Sequence, residues 1–132
     1  MTLVIDASAV LAWLLPDEVS VDLSTLIAAH DGGFAPSLLW VEVRNSLIMS
    51  ERRSRIPFGG VERFTATFDK LHLTYDTTPN SRTVLALCRD HRLTAYDALY
   101  LELALRRKAS LVTGDARLAE AARKSGVTVL ER

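Results

Sequence analysis

The sequence predicts an α/β domain in which a mainly parallel five-stranded sheet is flanked by helices, giving three layers. Two observations lead to this prediction. Short apolar runs of three or four residues recur along the chain, and segments with helical spacing of their apolar residues separate each run from the next. Strands divided in this way by helices favour a parallel sheet that is covered on both faces.

Five short segments are predicted as strands because they are apolar or extended and are bounded by turn residues. In chain order they are Leu3 to Ile5, Phe34 to Pro36, His72 to Tyr75, Ser110 to Thr113 and Val127 to Leu130. The second, "FAP", is only a brief extended piece.

Seven segments with helical spacing lie between and around these strands. In chain order they are Ala7 to Leu15, Val19 to His30, Ser37 to about Arg53, Pro57 to Leu71, Ser81 to His91, Thr94 to Lys108 and Ala116 to Gly126. Pro16 stops the first helix, Gly32 and Gly33 separate the second from the next strand, and Gly126 closes the last.

Length and composition favour one globular domain over residues 1–132. The chain has 132 residues, of which 48% are hydrophobic and 24% are charged, and domains average roughly 150 residues.

The amino-terminal apolar stretch is interrupted by Asp6 and has no basic leader, so neither a signal peptide nor a membrane span is expected and the protein is predicted to be cytoplasmic. The single cysteine, Cys88, lies in "TVLALC" and is expected to be a buried structural thiol.

The charge balance excludes a general electrostatic attraction for nucleic acid. Sixteen basic and sixteen acidic residues give a formal net charge of zero, so any such contact must be local. The two basic patches, "ERRSR" at 51–55 and "RRK" at 106–108, both lie at predicted helix ends, where cations also interact favourably with the helix dipole. Each patch taken alone is therefore open to a purely structural interpretation.

Four acids are predicted to lie at strand ends or in the helical turns beside them. They are Asp6, Glu42, Asp97 and Asp115. In an open α/β sheet, ligand sites gather beyond the carboxyl ends of the strands near a switch in strand order. We therefore expect the four side chains to converge on one pocket, with oxygens close enough to share one or two cations.

Each acid also has a structural explanation. Asp6 and Asp115 fit helix N-caps, and Thr94 with Asp97 fits a capping box. Glu42 is harder to explain in this way, because it interrupts the apolar run "LLWVEV" and is expected to be partly buried, where an isolated carboxylate is costly. Capping does not remove the mutual repulsion of four converging carboxylates, which a cation would neutralise.

The donor set favours Mg²⁺ or Mn²⁺. Carboxylate-rich, all-oxygen sites suit these ions. The lone cysteine and the scattered His30, His72 and His91 offer no zinc pattern, and the three histidines are expected at the surface or in loops.

Four motifs in order, "VIDASAVLAWLLPDE", "PSLLWVEVRNSL", "LTAYDALYLELAL" and "LVTGDARLAEAA", resemble the PIN-domain ribonucleases, specifically the VapC-type toxins of toxin–antitoxin pairs. The resemblance spans nearly the whole chain. It implies a PIN-like domain that acts as a divalent-metal-dependent endoribonuclease and hydrolyses RNA phosphodiester bonds by metal-activated water. Asp6, Glu42, Asp97 and Asp115 match the acidic catalytic and metal-binding set, and the matching polar supporting positions are Ser8, Asn45 and Thr113.

The resemblance further implies a homodimer and a complex with a VapB-type antitoxin. It does not identify the RNA target, because residues 57–71 carry no recognisable family motif. Basic side chains near the acids are expected to hold the phosphate backbone of the substrate. The candidates are Arg44, Arg52, Arg53 and Arg55, although the patch at 51–55 also suits the dimer or the antitoxin.

Two other functions fit part of the pattern. A PIN domain used in RNA processing or repair without an antitoxin would have the same active site. A Mg²⁺-binding phosphoacceptor module also uses acids at strand ends, with Asp76 as its phosphorylation site. Against the second, the first strand ends in one acid and not a pair, the last strand lacks a lysine at its carboxyl end, and Glu42 would have no role.

Overall fold

The computed structural model describes residues 1–15 and 21–131. In that part of the chain it has five strands: β1 (Leu3–Ile5), β2 (Gly33–Pro36), β3 (Thr74–Asp76), β4 (Ser110–Thr113) and β5 (Val129–Glu131). It has seven helices: α1 (Ala7–Leu14), α2 (Leu23–Ala28), α3 (Leu38–Arg52), α4 (Gly60–Asp69), α5 (Ser81–His91), α6 (Ala95–Arg107) and α7 (Ala116–Lys124). The predicted order of strands and helices is confirmed.

The five strands form one sheet in the order β3-β2-β1-β4-β5, and every neighbouring pair is parallel. The chain lays down β2 and β3 on one side of β1, then crosses to place β4 and β5 on the other side. The predicted three-layer α/β fold is therefore confirmed, with a switch in strand order between β1 and β4.

Helices cover both faces of the sheet. On one face α1, α3 and α4 pack against each other, and on the other face α6 packs against α5 and α7. The central strands are accordingly buried along their whole length, as the apolar runs at residues 3–5 and 110–113 predict. Because these strands are buried between two layers of helices, polar side chains gather where the strands begin and where they end.

Several element boundaries differ from those predicted, each for a local reason. The second helix is shorter than predicted because the Asp22 side chain accepts a hydrogen bond from the Ser24 backbone N–H and fixes the helix start at Leu23. Residues 19 and 20 of that prediction, and Pro16, lie outside the described residues. The fourth helix starts at Gly60, since a turn from Pro57 to Gly60 precedes it.

Two predictions about single side chains can be compared with the structure. Cys88 is half-buried, packed beside the core without being enclosed in it, so the expectation of a buried thiol is wrong in degree. His72 is exposed, whereas His30 and His91 are half-buried and hydrogen bond to the Leu26 carbonyl and the Ser125 hydroxyl. None of the described helices is both long and apolar enough to span a bilayer.

Candidate active site

The switch in strand order brings Asp6 and Asp115 together. Asp6 follows the end of β1, and Asp115 follows the end of β4, the strand paired directly with β1. Each carboxylate also caps the helix that follows it: Asp6 accepts from the Ala9 N–H at 3.0 Å, and Asp115 accepts from the Leu118 N–H at 3.0 Å. Capping thus explains how these acids are oriented, but not why two of them adjoin.

Asp6 lies at the centre of a small hydrogen-bond network. Its side chain accepts from the Ser8 hydroxyl at 2.8 Å and from the Thr113 hydroxyl, and the residue is only 4% exposed. Burial raises the pKa of Asp6, the hydrogen bonds from Thr113, Ala9 and Ser8 oppose that rise, and the Asp115 charge adds to it. Asp6 is therefore held in one orientation while its charge is incompletely compensated.

The loop between β4 and α7 is tied to the same network. The Gly114 N–H donates to the Ser8 hydroxyl at 2.9 Å, and the Asp115 N–H donates to the Thr113 hydroxyl at 3.0 Å. Ser8 thus bonds both to the backbone of this loop and to the Asp6 carboxylate. These contacts place Ser8 and Thr113, two of the predicted supporting residues, directly against Asp6.

Glu42 enters from α3 and meets a tyrosine that sequence analysis missed. The Tyr100 hydroxyl on α6 donates to Glu42 Oε1 at 2.5 Å. Burial raises the pKa of Glu42, the bond from Tyr100 lowers it, and the Asp97 charge raises it further. Burial and the adjacent Glu42 carboxylate in turn raise the pKa of Tyr100. The tyrosine therefore stays protonated and serves as a hydrogen-bond donor to Glu42.

Asp97 lies in the first turn of α6, whose N-cap is Thr94. The Asp97 N–H donates to the Thr94 hydroxyl at 3.2 Å, as the capping pattern predicts. Burial and then the Asp115 charge raise the pKa of Asp97, and the Thr94 hydroxyl and the Arg117 charge lower it. Because α6 runs back to the start of β4, its first turn lies at the edge of the sheet where β1 and β4 end.

The four acids form a chain of repelling neighbours. Asp6 interacts with Asp115, Asp115 with Asp97, and Asp97 with Glu42. Among the described residues, none of the four lies within ion-pair distance of a lysine or arginine. In residues 1–15 and 21–131, however, no three His, Cys, Asp or Glu side chains lie close enough together to hold one metal ion, so the predicted sharing of a cation by the four acids is not met by this arrangement.

The chemistry of this donor set fits a hard divalent cation. All the side-chain donors are carboxylate oxygens, partly buried and mutually repelling, which is the situation that an oxygen-preferring cation relieves. Full coordination requires side-chain adjustment from the arrangement described, since the acids interact in successive pairs.

Asn45, the third predicted supporting residue, is exposed on α3. Within the described part of the chain, no hydrogen bond joins it to the acids. Its position one turn beyond Glu42 leaves it near the site but without the direct contact to an acid that Ser8 and Thr113 make.

The predicted substrate-binding arginines fall into two groups. Arg44 binds Asp69 through two contacts of 3.2 Å and stacks over the Trp40 ring at 3.8 Å, so it joins α3 to α4. Arg52, Arg53 and Arg55 lie at the far end of α3, and ten residues at 1.5 Å each separate Glu42 from Arg52 by about 15 Å along the helix. Neither group directly contacts the four acids.

A second cluster of acids lies at the end of β3. Arg106 donates to Asp76 at 2.9 and 2.7 Å and to Glu102 at 2.8 Å. Asp76, the residue that a phosphoacceptor module would use, is therefore occupied by a guanidinium. The sequence contains a signal for each residue that the prediction did not include. Glu102 and Arg106 form an i,i+4 pair of opposite charges, and Tyr100 is an aromatic residue with a polar tip three residues after Asp97.

Comparison with known proteins agrees with this fold. A family model described as "PIN domain" matches residues 3–124. The crystal structure of PAE2754 from Pyrobaculum aerophilum has a TM-score of 0.77 at 22% identity, covering 98% of this chain and 83% of that one. A PilT N-terminus domain protein, SSO1118 from the archaeon Sulfolobus solfataricus P2, has a TM-score of 0.50 at 14% identity, covering 99% and 87%.

Comparison with curated proteins gives no significant match. At such low identities the two solved structures support the fold alone, whereas the family model covers most of the chain. The chain therefore belongs to the PIN-domain family, whose members are typically metal-dependent nucleases.

Proposed function

We propose that this protein is a divalent-metal-dependent endoribonuclease and that it acts as the toxin of a VapBC-type pair. One observation carries the nuclease part: four carboxylates lie in successive interacting pairs near the switch in strand order, and no lysine or arginine of the described chain lies within ion-pair distance of them. A fold that partly buries acids without pairing them to an internal cation is suited to bind an external cation there.

Asp6, Glu42, Asp97 and Asp115 would hold Mg²⁺ or Mn²⁺. The chemistry supplied by such an ion is activation of water for attack on phosphorus and neutralisation of charge on the leaving oxygen. The protein's own contribution is to fix the carboxylates. Ser8 and Thr113 orient Asp6, and Tyr100 orients Glu42.

The toxin role is supported by the ordered resemblance to VapC toxins rather than by the geometry. The same resemblance implies an RNA substrate, a VapB-type antitoxin, a homodimer and a cytoplasmic location. A processing or repair nuclease would share the site, so the two roles differ only in their partner.

Cleavage of a mixed-sequence single-stranded RNA pool by the purified protein tests the nuclease part. We expect fragments in Mg²⁺ or Mn²⁺, none with excess chelator, and none from Asp97→Asn in either ion. Asp90→Asn changes an exposed acid on α5 and is the matched control, which should cleave as wild type. Cleavage that persists in chelator, or in Asp97→Asn, would contradict the proposal.

Expression in a bacterial host tests the toxin part. We expect wild type to arrest growth, Asp97→Asn to leave growth unchanged, and a cognate antitoxin from the neighbouring gene to restore growth. An active nuclease that causes no arrest would favour the processing or repair function.

A further inference from the structure

The loop between α3 and α4 displays an aromatic ring beside arginines. Phe58 is 95% exposed, the most exposed of the large hydrophobic side chains in the described chain. It borders a cavity of about 530 Å³ whose wall also includes Arg52 and Arg55. We call Phe58, Arg52 and Arg55 the Phe58 surface.

The loop holds this ring in place. The Gly60 N–H donates to the Pro57 carbonyl at 2.9 Å, which makes Phe58 and Gly59 the central residues of a tight turn. Gly59 has a φ of +88°, the left-handed value that the third position of a type II turn requires. Ile56 is buried and anchors the loop to the core. An ordered turn thus presents Phe58 outward.

The arginines of this surface have no acidic partners. Within the described residues, no carboxylate lies in ion-pair distance of Arg52 or Arg55, whereas Arg44 and Arg106 each bind an aspartate. Glu51 is the single acid in the cavity wall, so the wall is positive on balance, and Arg53 adds a further exposed cation nearby. The surface therefore complements a polyanion.

An exposed aromatic ring among cations is the combination that binds single-stranded nucleic acid, because bases stack on the ring while phosphates meet the cations. The surface is also connected to the acids, since α3 carries both Glu42 and Arg52. A separation of about 15 Å along the helix is spanned by roughly four nucleotides at the stacked spacing of about 3.4 Å.

We propose that the Phe58 surface binds a single-stranded segment of the RNA, one unpaired base stacking on Phe58 and the adjoining phosphates contacting Arg52 and Arg55. The inference rests on the proposed ribonuclease function and adds a subsite to it, at which the RNA must be unpaired about four nucleotides from the scissile bond. Stacking accepts every base, so this subsite selects for unpaired structure and not for sequence.

Binding of a labelled twelve-nucleotide single-stranded RNA to Asp97→Asn protein, measured by fluorescence anisotropy, tests the proposal. Adding Phe58→Ala should weaken binding about 5- to 150-fold, the range for losing one stacked base, and Phe58→Tyr should restore it. Replacing Arg52 and Arg55 by alanine should weaken binding and flatten its dependence on salt. The same RNA annealed to its complement should bind more weakly and respond little to Phe58→Ala.

The helix α5 provides matched controls. Leu85→Ala removes another exposed apolar side chain, 46% accessible, and Arg82 and Arg89 are exposed arginines on the same helix. These changes should leave RNA affinity and salt dependence as they are in the parent protein.

The outcomes separate this proposal from the proposed function. If wild type cleaves RNA but Phe58→Ala binds the single strand as tightly as its parent, the subsite is wrong and the nuclease stands. If a polyglutamate peptide competes at the surface more strongly than RNA and in a Phe58-dependent way, the surface is a protein-docking site and the proposal is overturned. If wild type cleaves no RNA in any divalent ion, both proposals fall.

Discussion

Two clusters of acids lie at strand ends in this protein, and they differ in how their charge is compensated. At the end of β3, Arg106 binds both Asp76 and Glu102, and Glu102 also accepts from the Asn80 N–H at 2.9 Å. The Arg106 hydrogen bond lowers the pKa of Asp76. At the ends of β1 and β4, by contrast, the pKa values of Asp6 and Asp97 are raised by burial and by the neighbouring Asp115 charge.

The comparison shows that this fold can supply an internal counter-ion where acids serve stability. Glu102 is 1% exposed and stays satisfied because a guanidinium and a backbone N–H both reach it. The acids at the switch in strand order receive hydrogen bonds that orient them, and in the described chain no lysine or arginine lies within ion-pair distance of them. We interpret the first cluster as a structural clamp between β3 and α6, and the second as a site completed from outside.

Replacing one acid in each cluster should change RNA cleavage very differently, and this is the largest effect we expect. Asp97→Asn should reduce RNA cleavage by at least about 100-fold, the lower range for losing a positioned acid–base or ligand group. Asp76→Asn should retain most activity, because its contacts lie with Arg106. Single-turnover cleavage rates in saturating Mn²⁺ measure both variants, and comparable losses in the two would contradict the division into a structural and a functional cluster.

Adding a divalent ion should stabilise only the cluster that lacks an internal cation. Wild type should gain about 2.7 kcal/mol in free energy of unfolding at Mn²⁺ 100-fold above its dissociation constant. Asp97→Asn should gain much less, and Asp76→Asn should gain as much as wild type relative to its own baseline. Thermal melts in chelator and in graded Mn²⁺ provide the measurement, and a wild-type melting temperature insensitive to the ion would overturn the site assignment.

Removing the internal cation should destabilise the clamp. Arg106→Met leaves Glu102 buried without its guanidinium, a change that costs 3–5 kcal/mol for fully buried pairs. Because the Arg106 side chain is 34% exposed, we expect a smaller loss of about 2 kcal/mol. Urea unfolding of Arg106→Met against Arg82→Met, an exposed arginine on α5, measures it. Equal unfolding midpoints for the two variants would show that the clamp adds nothing to stability.

Tyr100→Phe should weaken the orientation of Glu42 with a modest effect on folding. Loss of one hydrogen bond to a carboxylate typically costs about 1.5–3 kcal/mol, and loss of a group that orients a metal ligand lowers activity or metal affinity by about 10- to 100-fold. Cleavage rates and Mn²⁺ titrations should therefore change more than the urea midpoint. If stability falls while metal affinity is unchanged, Tyr100 is a packing residue only.

The extent to which the sequence predicts this structure follows from the range of the interactions involved. Strand and helix order, and the caps at Asp6, Thr94 and Asp115, depend on residues within four positions of each other, and these predictions are confirmed. The Tyr100–Glu42 bond joins residues 58 positions apart. The hydrogen bonds of Arg106 to Asp76 also require the packing of α6 onto the sheet, which no local pattern encodes.

The same argument explains the arginines at residues 52–55. Their sequence position beside a helix carrying Glu42 suggested proximity to the acids, but α3 has 15 residues and places its two ends far apart. Each residue of a helix adds about 1.5 Å along its axis. Only a residue within about one turn of Glu42 could therefore share its pocket.

Acidity should act on the two clusters with opposite sign, and this is the smallest effect we expect. The pKa of Asp97 is raised on folding, so the native state binds its proton more tightly than the unfolded chain does. In chelator, wild type should therefore gain stability relative to Asp97→Asn as the pH falls through the raised pKa toward the ordinary value of 3.8. The pKa of Asp76 is lowered, so wild type should lose stability relative to Asp76→Asn as the pH falls below 3.8 toward the lowered value. Urea unfolding of the three proteins between about pH 3 and pH 7 separates the two trends, because each asparagine variant removes one titrating group. Differences that run in the same direction for both variants would mean that the acids at the switch in strand order are compensated within the protein, as Asp76 is.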